Sequence, residues 1–332
     1  SGSAVNPPAH DASHGSLSNP PDSSTGTHSF PAVGDTPHEP DETVVFTRGS
    51  PTTASAGTTT FDTVTIYDDD AAPSVSFTTS SQTVIEGNSV NTAVRVTASL
   101  SAVSSLDVTV PFTLSGTAAN PADHDASNGS INIPAGSLTG SYSFNVVGDS
   151  LNEPDETVIF TLGAPNTATS GATKVHTVTI NDDDAAPTAN FSSTGQTILE
   201  GDSGNTAVTV TASLSSVSSM QVILPFTLSG TASPGTDHDA TSGSISIPAG
   251  SLTGSYSFNI AGDTLDEIDE TVVFTLGSPS NANLCTTTGH TVTLTDDDSS
   301  PTVNFTAASQ SVPEGDAGNT AVSVTASLSV VS

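Results

Sequence analysis

Asp182-Asp183-Asp184-Ala185-Ala186-Pro187 decides how this chain is read, because the stretch occurs three times. It stands again at Asp68-Asp69-Asp70-Ala71-Ala72-Pro73 and, with serines, at Asp296-Asp297-Asp298-Ser299-Ser300-Pro301. Positions 68, 182 and 296 are each 114 residues apart. Three adjacent carboxylates repel one another at neutral pH unless something positive sits among them, and the proline that follows ends the preceding strand and stiffens the exit. The chain reads as tandem copies of one unit with an acidic seam between them. Its function turns on what the seam holds.

Working outward, residues 68–181 and 182–295 align without a gap and agree at more than half of their positions. The segment from Ser1 lines up with Ser115 onward, and the tail to Ser332 lines up with residues up to Ser104. The expected domains are 1–70, the later part of a repeat; 71–184 and 185–298, two complete repeats; and 299–332, the front of a further one. One more copy of the ten residues Ser105–Leu114 would close the register, so the chain is expected to be a window on a longer array or fibre. The absence of an initiator methionine at Ser1 fits that expectation.

Among 332 residues, Asp and Glu number 35 against three basic residues, Arg48, Arg95 and Lys174, for a formal charge of −32. Such a surface repels phosphate backbones and anionic membranes and attracts cations, so nucleic acid is not an expected partner. No apolar run approaches the ~20 residues a spanning helix needs, so no membrane insertion is expected. Cys285 is the single cysteine, which leaves the domains to be held by packing, by metal or by both. Abundant Ser, Thr, Gly and Pro suit a secreted or surface-displayed repeat protein.

Within the repeat, Val, Ile, Thr and Phe alternate with period two between Gly, Pro, Ser and Asn turns. Strands are predicted near residues 75–84 (broken), 92–98, 106–113, 129–133, 140–147, 156–162 and 175–180. Seven short strands in about 114 residues, with no capped helical period, predict an all-β, immunoglobulin-like antiparallel sandwich.

Alternating strand direction sends the loops after the first, third and fifth strands, and the end of the seventh, to one pole. In residues 68–184 that pole receives Glu86, Asp123, Asp125, Asp149, Glu153, Asp155, Glu156 and Asp182–Asp184. The next repeat sends Glu200, Asp237, Asp239, Asp263, Glu267, Asp269, Glu270 and Asp296–Asp298. The loops SLSAVSSL, IPAGSLTG and LGAPNTATSGAT of the other pole hold no carboxylate. Like charges so crowded raise each other's pKa, and divalent cations relieve them. The candidate ligands are all oxygens with irregular spacing, which suits the 6–8 flexible ligands of Ca²⁺ better than the strict octahedron of Mg²⁺. Neither an EF-hand loop nor a glycine-rich nonapeptide is present, so the site must assemble from separate loops. The competing reading, a salt-adapted acidic surface, would spread its acids over strand faces, where this chain carries mostly Ser and Thr.

The ordered motifs V-x-E-G (Val84–Gly87), A-x-x-G/P-x-D-H (Ala118–His124 and Ala232–His238), P-A-G-S, D-x-x-x-E-x-x-E-T-V-x-F (Asp149–Phe160 and Asp263–Phe274) and a strand ending in D-D-D resemble the Calx-beta repeat over the entire chain. The resemblance implies a seven-stranded sandwich, known as the calcium sensor of sodium–calcium exchangers and found also in animal matrix receptors and bacterial surface proteins. It implies Ca²⁺ ligands at Glu86, Asp123, Asp149, Glu153, Glu156 and Asp182–Asp184, then at Glu200, Asp237, Asp263, Glu267, Glu270 and Asp296–Asp298. The first piece would contribute Asp35, Glu39, Glu42 and Asp68, Asp69 and Asp70, and the last piece Glu314. Two departures stand out. The double acid of sensor domains is reduced to Gly148-Asp149, which implies fewer or weaker sites, and Ala9 replaces the first piece's counterpart of Asp123. His124 and His238, where the family has Tyr, are expected to be packed rings rather than ligands. No nucleophile elbow or comparable oxyanion-loop signal appears, so no enzyme is expected. The leading expectation is a non-enzymatic extracellular array binding Ca²⁺ at its seams, as a stalk, adhesin shaft or fibre. The alternatives are a regulatory Ca²⁺ sensor and a filament in which neighbouring copies complete each other's split domain.

Overall fold

The structure, a computed structural model, describes His10 and residues 15–329. The chain divides into two compact units: Ser1–Asp149 with Asp155–Asp182, and Ser150–Pro154 with Asp183–Ser332. Ala9, singled out above, and Ser332 lie outside the described residues. No helix of the described residues is long and apolar enough to cross a membrane.

In the first unit the strands are β1 (Glu42–Thr47), β2 (Phe61–Ile66), β3 (Ser74–Phe77), β4 (Ser81–Ile85), β5 (Thr92–Leu100) and β6 (Val108–Gly116). They continue with β7 (Gly129–Ile133), β8 (Thr139–Val146), β9 (Glu156–Leu162), β10 (Thr169–Ser170) and β11 (Val175–Asn181). β1 and β2 form a two-stranded sheet, and the rest form two sheets ordered β10-β3-β5-β8 and β4-β11-β9-β6-β7. The second unit repeats this with β12 (Thr188–Phe191), β13 (Gly195–Leu199), β14 (Gly204–Leu214), β15 (Val222–Gly230), β16 (Gly243–Ile247) and β17 (Thr253–Gly262). Next come β18 (Glu270–Leu276), β19 (Asn283–Leu284), β20 (Gly289–Thr295), β21 (Val303–Phe305) and β22 (Ala326–Leu328). Its sheets are β17-β14-β12-β19, β13-β20-β18-β15-β16 and β21-β22.

The all-β sandwich is therefore present twice, with two departures from pure antiparallel pairing, one of them at the short strands β10 and β19, which pair parallel with β3 and β12. The first strand breaks at residues 78–80; β3 stays in one sheet while β4 crosses to the other and pairs parallel with β11, Ser81 opposite Thr177 and Ile85 opposite Asn181. Period-two alternation sets the core. On β9, Val158, Phe160 and Leu162 point inward and are buried, and Val272, Phe274 and Leu276 do the same on β18. Phe274 packs between Phe226, Phe258 and Phe191, with ring centroids 5.2, 5.6 and 6.4 Å away. In β21 and β22 the counterparts of buried Phe77 and Leu100 are Phe305 and Leu328, which are 71% and 49% exposed.

Removing a fully buried ring forfeits its transfer energy and leaves a cavity. Phe274→Ala is expected to destabilise the second unit by about 3–5 kcal/mol, read as a lower urea midpoint with loss of amide protection confined to residues 183–298.

Candidate metal centre

In the second unit the site is built at strand ends. Glu200 follows β13, Asp237 sits in the turn between β15 and β16, Asp263 follows β17, Glu267 and Glu270 lead into β18, and Asp296–Asp298 follow β20. One oxygen each of Asp237, Glu267 and Glu270 lies within 4.8 Å of the other two. Asp237 is held in a tight turn, its amide donating to the Ser233 carbonyl at 3.0 Å while its Oδ2 accepts from the Ser233 amide. Its second oxygen is left for the cluster. Asp269 Oδ1 accepts from the Asp296 amide at 3.3 Å and Asp297 Oδ1 accepts from the Gly201 amide at 3.0 Å, so the exit segment is tied to both neighbouring loops.

The electrostatics follow from this crowding. Burial, then the charges of Asp263, Glu267, Asp237 and Asp296, push Glu200 up to about 7 from 4.5. Glu270 is pushed up to about 7 by burial and by a hydrogen bond and charge from Asp237. Glu267 is raised by burial, Asp237, Asp263 and Asp296, and Asp298 by desolvation, Asp202, Asp296, Asp297 and Asp263. Asp296 Oδ1 is buried with no hydrogen-bond donor. An orphaned anionic oxygen among oxygen-only neighbours fits a hard divalent cation and no soft one.

In the first unit, Glu39 is raised by burial and by Asp35, Glu42, Asp68 and Asp70, so these carboxylates share one neighbourhood. Asp70 is raised by desolvation and then by Asp68, Asp69 and Asp35. Glu42 Oε2 is buried and undonated. A feature that the sequence does not signal is the hydrogen bond between His38 Nδ1 and Asp68 Oδ2 at 2.8 Å, which engages one expected ligand. By the 114-residue register the corresponding acids of residues 68–184 are Glu86, Asp123, Asp149, Glu153, Glu156 and Asp182–Asp184, and Glu86 and Asp123 are buried as Glu200 and Asp237 are. Glu314 lies exposed between β21 and β22, and among the described residues no trio of acids gathers around it.

Other acids of the pole have structural employment. Asp125 accepts from the Asn145 amide at 2.6 Å and from its side-chain amide at 2.7 Å, which holds its carboxyl below the usual range; Asp239 does the same with Asn259. Asp41 and Asp155 anchor the amides of Asp68 and Asp182 at 3.1 and 3.2 Å. The opposite pole is not free of carboxylate either. Asp107, just past the predicted loop, accepts from the Ala135 amide at 2.8 Å. His124 and His238 are buried rings, each Nδ1 accepting a backbone amide two residues on, at 3.1 Å.

The single acid after Gly148 and Gly262 has a steric reason. A Cβ on Gly262 would lie 2.1 Å from the Gly201 carbonyl oxygen, and one on Gly148 2.1 Å from that of Gly87. This backbone has no room there for the first acid of a pair.

A β-sandwich of immunoglobulin type with an all-carboxylate pole assembled from separate loops defines the class. A profile of the Calx-beta domain matches residues 68–184 and 182–298, and the chain belongs to the Calx-beta family. Among solved structures, "Crystal structure of CBD12 from CALX1.2" is 18% identical with TM-score 0.32, over 66% of this chain and 98% of that one. "Crystal structure of calcium binding domain CBD12 of CALX1.1" is 20% identical with TM-score 0.32, over 64% and 81%. "Crystal structure of Apo-form Calx CBD1 domain" is 24% identical with TM-score 0.31, over 34% and 100%. No curated protein sequence matches the chain.

Two outcomes follow. Because Glu200 and Glu270 are raised to about 7, their contribution to stability is fully present below about 4.5 and is lost as pH rises through about 7. Thermal melts in chelator are expected to show the second unit weakening across that window, with the loss abolished in Glu200→Gln/Glu270→Gln. Gly262→Asp, which restores the missing acid, is expected to destabilise the fold by more than ~1 kcal/mol in chemical denaturation, because the Gly201 carbonyl must move.

Proposed function

We propose that the chain is a non-catalytic, extracellular array whose acidic poles bind Ca²⁺ and so stiffen a surface shaft, stalk or fibre. The observation that carries this reading is the Asp237, Glu267 and Glu270 cluster, three carboxylates within 4.8 Å beside the orphaned Asp296 Oδ1. Folding holds these charges together, so a cation that binds only the assembled pole stabilises the folded state by linkage. At a hundredfold excess over Kd each independent site would add ~2.7 kcal/mol. Extracellular calcium modules commonly bind at about 10⁻⁴–10⁻³ M, a range met in many natural waters and body fluids. The partners in this reading are calcium ions and neighbouring repeats, in the same polypeptide or in copies of the chain.

A sensor is the second reading. Glu270 and Asp237 share a hydrogen bond that must be given up when both oxygens turn to a cation. That local rearrangement is what a sensor would transmit. Scattering and calorimetry on the whole chain separate the readings. Growth in maximum dimension and stiffness at about 10⁻³ M Ca²⁺ supports the shaft, whereas a change complete at about 10⁻⁷–10⁻⁵ M supports the sensor. No Ca²⁺ uptake and an unchanged profile would leave the acids as a solvated surface and overturn both.

A further inference from the structure

One small polar contact is built twice, by residues that the metal reading does not use. In the first unit, the loop carrying Asp35, Glu39 and Glu42 meets the turn between β5 and β6 through His38, which forms a parallel bridge with Ser104. The His38 carbonyl accepts from the Ser105 amide at 2.9 Å and from the Ser104 hydroxyl at 3.2 Å. In the second unit, the segment Ser150–Pro154 meets the turn between β14 and β15 in the same way, Asn152 bridging Ser218. There the Asn152 carbonyl accepts from the Ser219 amide at 3.0 Å and from the Ser218 hydroxyl at 3.1 Å.

The receiving turn is also held by bonds of its own. Ser104 and Ser218 are each 1% exposed. Their hydroxyls accept from the Leu106 and Met220 amides at 3.0 and 3.1 Å, and their carbonyls accept from the Gly136 and Gly250 amides at 2.9 Å. A buried hydroxyl that costs free energy if left unpaired is thus aimed at a carbonyl of the incoming loop. His38 and Asn152 differ in side chain but occupy one register position, and what the two contacts share is the backbone carbonyl; Asn152 adds its Oδ1, which accepts from the Ser218 hydroxyl at 3.2 Å. In each case that residue is followed directly by an expected ligand, Glu39 or Glu153.

We propose that the serine turn, Ser104-Ser105 and Ser218-Ser219, is a docking site for the acidic loop of the preceding repeat, and that it positions that loop's metal-binding carboxylates. The partner it fits is a loop of this repeat family presenting a backbone carbonyl just before its glutamate. The positioning half rests on the metal reading above. By reciprocity, docking tightens metal binding by the same factor that metal tightens docking.

The test is hydrogen exchange of the whole chain during Ca²⁺ titration, native against Ser104→Ala/Ser218→Ala. In the variant, the Ca²⁺ needed to protect residues 35–42 and 149–156 is expected to rise about fivefold, the factor that one lost hydrogen bond supplies. Residues 263–270, whose register partner is Ser332, serve as the internal control and are expected to respond unchanged. Asn152→Ala keeps the carbonyl and is expected to shift the 149–156 response less than twofold. Equal shifts at all three loops, or none at the two docked loops, overturn the inference. Ser105 and Ser219 amides that exchange freely in the native chain overturn it whatever the variants do. Failure of every loop to respond to Ca²⁺ in the native chain would instead remove the metal reading and the positioning half, leaving docking to stand or fall on those two amides.

Discussion

Mutual repulsion among carboxylates gathered at one end of each sandwich is the constraint on which the rest depends. The two sheets bring the ends of β13, β15, β17 and β20 to one pole, where the charges of Asp237, Asp263 and Asp296 act on Glu200. The free energy of keeping them there comes from the apolar interior, where Phe274, Ile245, Leu224 and Val210 lie almost wholly buried. The repulsion is relieved in part by protons, with Glu200 and Glu270 raised to about 7. A divalent cation would relieve it with more charge and without surrendering the carboxylates' geometry.

Within that pole, neighbouring acids of the same type do different work. Asp239 spends its oxygens on the backbone and side-chain amides of Asn259, and Asp269 spends Oδ1 on the Asp296 amide, which fixes the shape of loop and exit segment. Asp237 divides its two oxygens between the turn that holds it and the cluster that needs it. In the first unit His38 Nδ1 lies 2.8 Å from Asp68 Oδ2, where the other two repeats have Asn152 and Asp266 at the register position. One of that pole's candidate ligands is thus already engaged.

Much of the fold was legible in the sequence because alternation of Val, Ile and Phe with Ser and Thr has only one stable interpretation at this turn spacing. The 114-residue register then carried each acid from one repeat to the next. The rest depends on three-dimensional facts that periodicity does not encode. The crossing of the first strand needs only three residues, 78–80, whose composition resembles any turn. Whether an acid caps an amide, as Asp125 and Asp107 do, or faces its fellows, as Glu267 does, is decided by which strand end it faces. Gly262 carries a readable signal in hindsight, since a glycine stands there and at Gly148, but the oxygen 2.1 Å from its missing Cβ comes from a loop some sixty residues earlier. Serine turns are so common in this chain that nothing in composition marks Ser104 and Ser218.

The parallel pairing of β4 with β11 has a mechanical consequence. The two strands lie near the beginning and the end of their repeat and run side by side from Ser81–Thr177 to Ile85–Asn181. If the polypeptide is pulled from both directions, β4 is drawn one way and β11 the other, so the pull acts along the strands and across all of their hydrogen bonds at once. Such a ladder yields in shear, as a group, whereas an antiparallel hairpin pulled open at its free end unzips one bond at a time. The same arrangement in β13 and β20, Gly195–Thr291 to Leu199–Thr295, makes each complete repeat a load-resisting link. Under such a pull, this resistance follows from the strand register, whatever occupies the acidic pole.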